Sequence, residues 1–183
     1  GTAIDSLETY YVYDDFSLLR YVLPPKAVQS ITSSMDSLAH DNTIIKSLCY
    51  YYEYDYRNRM IIKQLPGAEP VYMVYDKRDR LVLTQDGNQR NSSNWIFTKY
   101  DRFNRPILTG IYSNSSGRET MQTAVNAFTG DSLFEVSGTS VHGYTNRAFP
   151  NVSNPNKYYT ITYYDNYSYP GVKSFNGSLN ISD

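Results

Sequence analysis

Cysteine is nearly missing from this chain. Cys49 is the single thiol among 183 residues, which excludes an internal disulfide, a CxxC redox pair and a thiolate zinc site. Its surroundings, SLCYYY, are apolar, the setting of a buried structural thiol. Histidine is almost as scarce. His40 and His142 stand alone, with no HExxH or HxH spacing, so each reads as structural or surface histidine and no metal site is assigned. Net charge is small too: 17 basic against 18 acidic residues leave −1. That field is too weak to hold a phosphate backbone or an anionic membrane surface. No apolar run approaches the ~18 residues that cross a bilayer, and no secretory signal is visible. The expectation is no nucleic-acid partner and no membrane insertion in this segment.

Catalytic spacings are also lacking. There is no GxSxG elbow, no P-loop and no GxGxxG. Carboxylates such as Glu53, Glu69, Glu119 and Glu135 do not form a recognisable pair for glycoside chemistry. The basic residues Arg57, Arg59, Lys77, Arg78 and Arg80 interleave with tyrosines as in some RNA-binding surfaces, but acidic neighbours balance them. The chain is therefore read as no enzyme, with no catalytic residue, no cofactor and no metal.

Tyrosine is abundant, at 20 residues. Its ring packs on a pleated surface while its hydroxyl reaches polar groups, so the composition favours strands. Tyr-Asp recurs at Tyr13-Asp14, Tyr54-Asp55, Tyr75-Asp76, Tyr100-Asp101 and Tyr164-Asp165. The middle three copies extend to YDYRNRM, YDKRDRL and YDRFNRP. Each has Asn or Asp four residues after the tyrosine (Asn58, Asp79, Asn104) and then arginine (Arg59, Arg80, Arg105). Apolar strand-like runs flank each copy: CYYYEY and MIIKQL, VYMVY and LVLTQ, WIFTKY and PILTGIY. Strand, polar link, strand is a hairpin signal. Within the link, the aspartate can accept from nearby backbone N–H groups, and Asn or Asp tolerates the left-handed conformation that short hairpin loops require. The motif is thus a turn device. The arginines are expected to stack on tyrosines or to pair with aspartates of a neighbouring hairpin. The first copy, YDDFSLLR, is a variant with Ser17 at the Asn position. The last, YDNYSYPGV, lacks the arginine, and Pro170 interrupts its second strand.

Two inserts differ in character. Residues 24–48 open on Pro24-Pro25 and place Ile31, Met35 and Leu38 at helical spacing. Asp41 or Asn42 can cap a second short helix through Ile44, Ile45 and Leu48. Residues 117–128 put Met121, Val125 and Phe128 on one helix face, with Gly130 as its stop. Residues 137–157 read as a long polar loop holding at most one short strand, KYYTITYYD alternates as a strand, and the tail FNGSLNISD is polar.

Together these phrases (LRYVLPP at 19–25, LPGAEPVYMVYDKRDRLVLTQDG at 65–87, the FTKYD…NRP…LTGIY stretch at 97–112 and HGYTNRAFP at 142–150) resemble bacterial members of the YD-repeat (Rhs) family. The likeness touches most of the chain from Tyr10 to Asp165. It implies strips of antiparallel sheet, which in larger relatives curl into a shell around a variable C-terminal domain, often a toxin. Other relatives are adhesion or glycan-contacting surface proteins. A few repeats cannot close a shell, and no Asp-Pro dipeptide, part of the self-cleavage motif of many shell cores, occurs here.

The expected fold is α+β and β-dominated. It is a single segment, 1–183, cut from a larger protein. Hairpins near 8–23, 50–65, 69–85 and 95–112 form one antiparallel sheet, and short helices near 26–48 and 117–128 cover one face. The expected core includes Tyr52, Tyr54, Ile61, Tyr75, Leu81, Leu83, Trp95, Phe97 and Ile107. The resemblance implies a secreted or cell-surface bacterial protein in which this segment is scaffold. Its partners would be the rest of the parent polypeptide and an enclosed C-terminal domain. The alternative is a binding module whose exposed tyrosines contact glycans or another cell-surface protein. Where the rings point separates the two.

Overall fold

The structure is a computed structural model that describes residues 7–31, 42–130, 132–164 and 171. Runs of alternating aromatic and β-branched residues become nine strands that pair in chain order, each antiparallel to the next. They are β1 (Tyr10–Tyr13), β2 (Leu19–Leu23), β3 (Tyr50–Tyr54), β4 (Met60–Gln64), β5 (Val71–Tyr75), β6 (Leu81–Gln85), β7 (Asn94–Tyr100), β8 (Pro106–Ser113) and β9 (Tyr158–Ile161). The fold is β-dominated, and the described residues include four short helices: α1 (Pro25–Ser30), α2 (Thr43–Leu48), α3 (Gly87–Asn91) and α4 (Arg118–Ala127). Among the described residues no helix is long and apolar enough to cross a membrane.

Pairing is uneven along this sheet. Within a hairpin it is long: β7 and β8 align from Asn94↔Ser113 to Tyr100↔Pro106, and β5 and β6 from Tyr72↔Gln85 to Tyr75↔Leu81. Between hairpins it is short. β4 meets β5 only at Ile62↔Tyr72 and Lys63↔Val71, and β6 meets β7 only at Leu83↔Phe97 and Thr84↔Ile96. Every Tyr-Asp hairpin carries a register shift on the residue pair before its turn, as at Glu53/Tyr54 and Val74/Tyr75. Such a bulge sharpens local twist, so successive hairpins diverge toward their turns.

One row of the sheet fixes the main core. Val74, Leu83, Phe97 and Gly110 lie side by side on four strands. Around them pack Trp95, Leu108, Met121 and Val125, all nearly or wholly buried. Gly110 is required there, because a Cβ would meet the Phe97 ring at 2.7 Å and the Lys157 carbonyl at 2.1 Å. Tyr158 closes the row, its ring edge-on to Phe97 at 5.4 Å. A second cluster, Leu23, Ala27, Ile45 and Cys49, sits where α1 and α2 meet β2. The helices therefore serve two separate clusters.

Several expectations need correction. Ile61, Leu83, Trp95, Phe97 and Ile107 are buried, whereas Tyr52, Tyr54, Tyr75 and Leu81 are only partly so. Tyr75 keeps its hydroxyl at the inter-hairpin gap, on the Met60 carbonyl. Asn42 is the residue that caps α2, its side chain accepting from Ile44 N; Met35, Leu38, His40 and Asp41 lie outside the described residues. Gly130 does not stop α4. The helix ends at Ala127 with Phe128 in an extended conformation, held where Phe128 packs edge-on to Phe149. The stretch 137–157 holds one isolated bridge, Ser137↔Tyr144, and a 3-10 turn at Pro155–Lys157. Helix α3 has no counterpart in the sequence reading. It is nucleated by Asp86, which accepts from Gln89 N while the Gln89 side chain accepts from Asp86 N, a reciprocal cap.

Candidate functional site

The three complete turns are built identically. Asp55, Asp76 and Asp101 each donate their backbone N–H to the carbonyl of the arginine four residues on, at 3.0 Å. Each accepts on Oδ1 from two backbone N–H groups: Arg57 and Arg59 for Asp55, Arg78 and Arg80 for Asp76, Phe103 and Arg105 for Asp101, all at 2.8–3.0 Å. Asn58, Asp79 and Asn104 take up the left-handed backbone, with φ of 60°, 60° and 65°. The second carboxylate oxygen, Oδ2, accepts from the Nε of the turn's own arginine at 2.7, 2.8 and 2.6 Å.

That ion pair aims Arg59 and Arg80 across the gap to the next hairpin, and Arg105 toward the segment that follows β9. Arg59 lies over the Tyr75 ring and Arg80 over the Tyr100 ring, each 4.7 Å from the centroid; Arg105 lies 4.3 Å over Tyr164. The tyrosine hydroxyls reach back. Tyr75 donates to the Met60 carbonyl and Tyr100 to the Leu81 carbonyl, both at 2.7 Å, and Tyr164 to the Pro106 carbonyl at 3.2 Å. Arg59 also meets Asp79 at 2.8 Å, and Arg80 meets Asn104 at 3.1 Å. All three arginines thus pair first with their own aspartate and then with a tyrosine of the next copy, and Arg59 and Arg80 also reach the Asn/Asp of the next turn. The result is a side-chain ladder of aspartate, arginine and tyrosine that runs hairpin to hairpin through the region where backbone pairing has ended.

Electrostatics follow from this packing. Burial pushes the Asp55 carboxyl up, but the Arg59 guanidinium and the Arg59 and Arg57 N–H groups outweigh it and hold the carboxyl below its usual range. Asp101 is lowered in the same way, burial being overcome by the Arg105 and Phe103 N–H groups and the Arg105 side chain. Burial raises the Tyr75 and Tyr100 phenols, with Arg59 and Arg80 opposing. These phenols stay protonated and available as donors.

The first turn keeps the backbone and loses the ladder. Asp14 accepts from Phe16 N and Leu18 N, and Ser17 takes φ of 61°. Leu18 stands where the others have arginine. Arg20 comes back only to 3.7 Å from Asp14 Oδ2. Tyr13 is exposed on the end strand. In the last copy Tyr164 receives Arg105; Asp165 lies outside the described residues.

Other organising residues went unseen in the sequence. Gln122 of α4 bridges the backbone of Tyr75, its Oε1 accepting from the N–H at 3.1 Å and its Nε2 donating to the carbonyl at 2.7 Å, where β4 has left β5. Gln64 and Gln85, each closing a hairpin's second strand, donate to Ala68 and Asn94 carbonyls. Lys99 and Glu135 form an ion pair wholly withdrawn from solvent. Alternation along Asn94–Tyr100 was the available signal, since it places Lys99 on the face of Trp95 and Phe97.

A cleft of about 410 Å³ opens between the second and third turns and α4, lined by Tyr56, Arg57, Lys77, Arg118 and Asn126 among others. Beside the last turn a cleft of about 360 Å³ involves Arg102, Phe103, Arg105, Tyr144 and Tyr164. The turn aspartates in both are consumed by their own arginines and N–H groups. His142 is buried beside the Tyr158 ring at 4.5 Å, and burial, with Lys99 nearby, holds its imidazole below the ordinary value. Among the described residues no group of three His, Cys, Asp or Glu side chains is placed to hold a metal ion.

Compared with protein-family models the chain matches none, and it matches none of the curated proteins searched.

Proposed function

We propose that this chain is a YD-repeat (Rhs-type) segment of a larger exported bacterial protein. It supplies β-sheet wall around or beside a variable C-terminal domain and turns over no outside substrate. One observation carries the proposal: Arg59 and Arg80 are each locked to the tyrosine of the following hairpin, and Arg105 to Tyr164 of the next Tyr-Asp copy. A ladder of this kind has no internal reason to stop. Each complete turn offers the copy after it an arginine and asks of it a tyrosine, so the design extends by nearest-neighbour addition.

The tyrosines favour scaffold over adhesion. Tyr75 and Tyr100 lie interlocked between hairpins, each ring under a guanidinium and each hydroxyl on a carbonyl of the preceding hairpin, rather than side by side in a groove. Among the described residues the exposed tyrosines are Tyr10, Tyr11 and Tyr13 on the end strand β1, Tyr56 at a turn tip and Tyr159 on β9. Aromatic residues on an end strand, beside unpaired backbone groups, suit an edge that another strand of the parent chain covers.

The test is the intact mass and both termini of the native polypeptide from its source cell. The expected result is a much longer chain with further Tyr-Asp turns and a C-terminal domain of different composition. A mature chain that begins and ends near these residues would overturn the shell reading and make glycan binding through Tyr10, Tyr11 and Tyr13 the next assay.

A further inference from the structure

Behind the last turn lies a charged cluster that the ladder does not use. Lys99, on β7, points its ammonium into the segment 132–152. Its Nζ lies 2.8 Å from Glu135 Oε1 and 2.5 Å from Asn146 Oδ1. Both Lys99 and Glu135 side chains are completely shielded from solvent. Glu135 is well supplied with donors: besides Lys99, it accepts from Thr145 Oγ1 at 2.7 Å, Arg147 N at 2.8 Å and Ala148 N at 3.0 Å. The Asn146 carboxamide is tethered on its other side, Nδ2 donating to the Val152 carbonyl at 3.2 Å. A primary amine, a carboxamide and a carboxylate are therefore held in mutual contact inside a β-sheet core.

We propose that Lys99 and Asn146 become joined by an intramolecular isopeptide bond, with Glu135 carrying the protons. Glu135 takes a proton from the Lys99 ammonium. The free Nζ attacks Asn146 Cγ, which is one bond beyond the oxygen it already touches. The tetrahedral adduct then collapses with loss of the carboxamide nitrogen, which receives protons from Nζ and from Glu135 and leaves as ammonium. One C–N bond forms, one C–N bond breaks, and nothing is oxidised or reduced. The site meets the requirements of such a step. Burial disfavours the ammonium form and lowers the Lys99 pKa, against the opposing pull of Glu135, so the nucleophilic amine is accessible. Glu135 is within hydrogen-bond reach of the proton it must take. Fixing the two reactants in contact replaces a bimolecular encounter with an intramolecular one. The product would brace β7 against a loop residue 47 positions away, in a chain whose single cysteine cannot supply a disulfide.

The test is the intact mass of the purified wild-type chain, followed by tryptic mapping. The expected result is a mass lower than the sequence mass by one ammonia. Trypsin cuts at Arg90, Arg102, Arg118 and Arg147 but not at an acylated Lys99, so residues 91–102 should appear joined to 119–147 as one branched peptide. Asn146→Ala and Glu135→Gln should both restore the full mass and cleavage after Lys99. A wild-type chain of full mass, cut normally after Lys99, overturns the proposal whatever the variants do. So does an ammonia loss mapped to any residue other than Asn146.

Discussion

Replacing Asp76 by alanine tests the ladder at its most buried rung. Asp76 and Arg80 side chains are 5% and 7% exposed. The aspartate accepts from Arg78 N, Arg80 N, Arg80 Nε and an Arg80 terminal nitrogen. Asp76→Ala leaves two backbone donors and a buried guanidinium without their acceptor. Breaking a buried pair by deleting one partner costs about 3–5 kcal/mol. Arg80 keeps the Tyr100 face, Asn104 and the Leu133 carbonyl, so about 4 kcal/mol is expected. Asp14→Ala is the internal control. Asp14 also accepts two backbone N–H groups, but its nearest guanidinium is 3.7 Å away and 31% exposed. Two modest hydrogen bonds at about 0.5–1.5 kcal/mol each give a cost of about 1–2 kcal/mol. Equilibrium unfolding in urea, followed by fluorescence of the buried Trp95, measures both. With a slope of about 2 kcal/mol/M, Asp76→Ala should lower the midpoint by about 2 M and Asp14→Ala by at most half of that. Equal shifts would refute the argument, because they would mean that the guanidinium adds nothing beyond the turn.

Asn58→Gly should be nearly neutral and Asn58→Val should cost about 1–2 kcal/mol, since φ is 60° there and a β-branched residue resists the left-handed region; the same urea titration reads the difference. Tyr100→Phe keeps the ring under Arg80 and loses the bond to the Leu81 carbonyl, for an expected cost of about 1 kcal/mol, whereas Tyr100→Leu, which removes the ring as well, should cost more. The carboxyls of Asp55 and Asp101 are held low in the fold, so the folded state binds fewer protons than the unfolded one at acidic pH. Their contribution is fully present above the unfolded value, about 3.9, and is lost as pH falls through the lower folded values. Thermal midpoints should therefore fall steeply below pH 4, and Asp55→Asn with Asp101→Asn should flatten that slope. The His142 imidazole, lowered by burial and by Lys99, should titrate in an NMR series below the usual 6.5.

The turns were legible because their chemistry is local. Asn58, Asp79 and Asn104 differ in side chain but share tolerance of positive φ, and Ser17 at the equivalent place adopts it as well. The strands were legible because alternation is a period-two pattern. That the arginines stack on tyrosines was legible as well, and they do so; which tyrosine each one reaches was not. Their reach depends on the stagger of one hairpin on the next, which two pairs such as Leu83↔Phe97 and Thr84↔Ile96 determine, and no local pattern encodes that offset. Tyr75 was placed in the core on its apolar ring, but its hydroxyl needed the Met60 carbonyl, which holds it at the gap. Two features carried readable signals that aromatic content obscured: Asp86 and Gln89 in the spacing of a reciprocal cap, and Lys99 in phase with Trp95 and Phe97.

The missing rung explains the inserted helices. Three hairpin junctions need closing at the turn end, and the two with few backbone pairs and a complete upstream turn, β4 to β5 and β6 to β7, are closed by Arg59 and Arg80. The junction from β2 to β3 is equally short, Tyr21↔Tyr51 and Val22↔Tyr50, yet Leu18 offers no guanidinium. There the sheet is held by a tilted contact of Tyr21 on Tyr51 at 5.0 Å and by the cluster of Leu23, Ala27, Ile45 and Cys49 that α1 and α2 complete. Apolar burial does not depend on ionisation, so this junction should keep its strength in acid, whereas the β4 to β5 junction loses what Asp55 contributes as pH falls through its lowered value. Hydrogen exchange in acid should then open the amides of β4 and β5 before those of β2 and β3. The reverse order would mean that the ladder contributes less to the joining of hairpins than the two backbone pairs it accompanies.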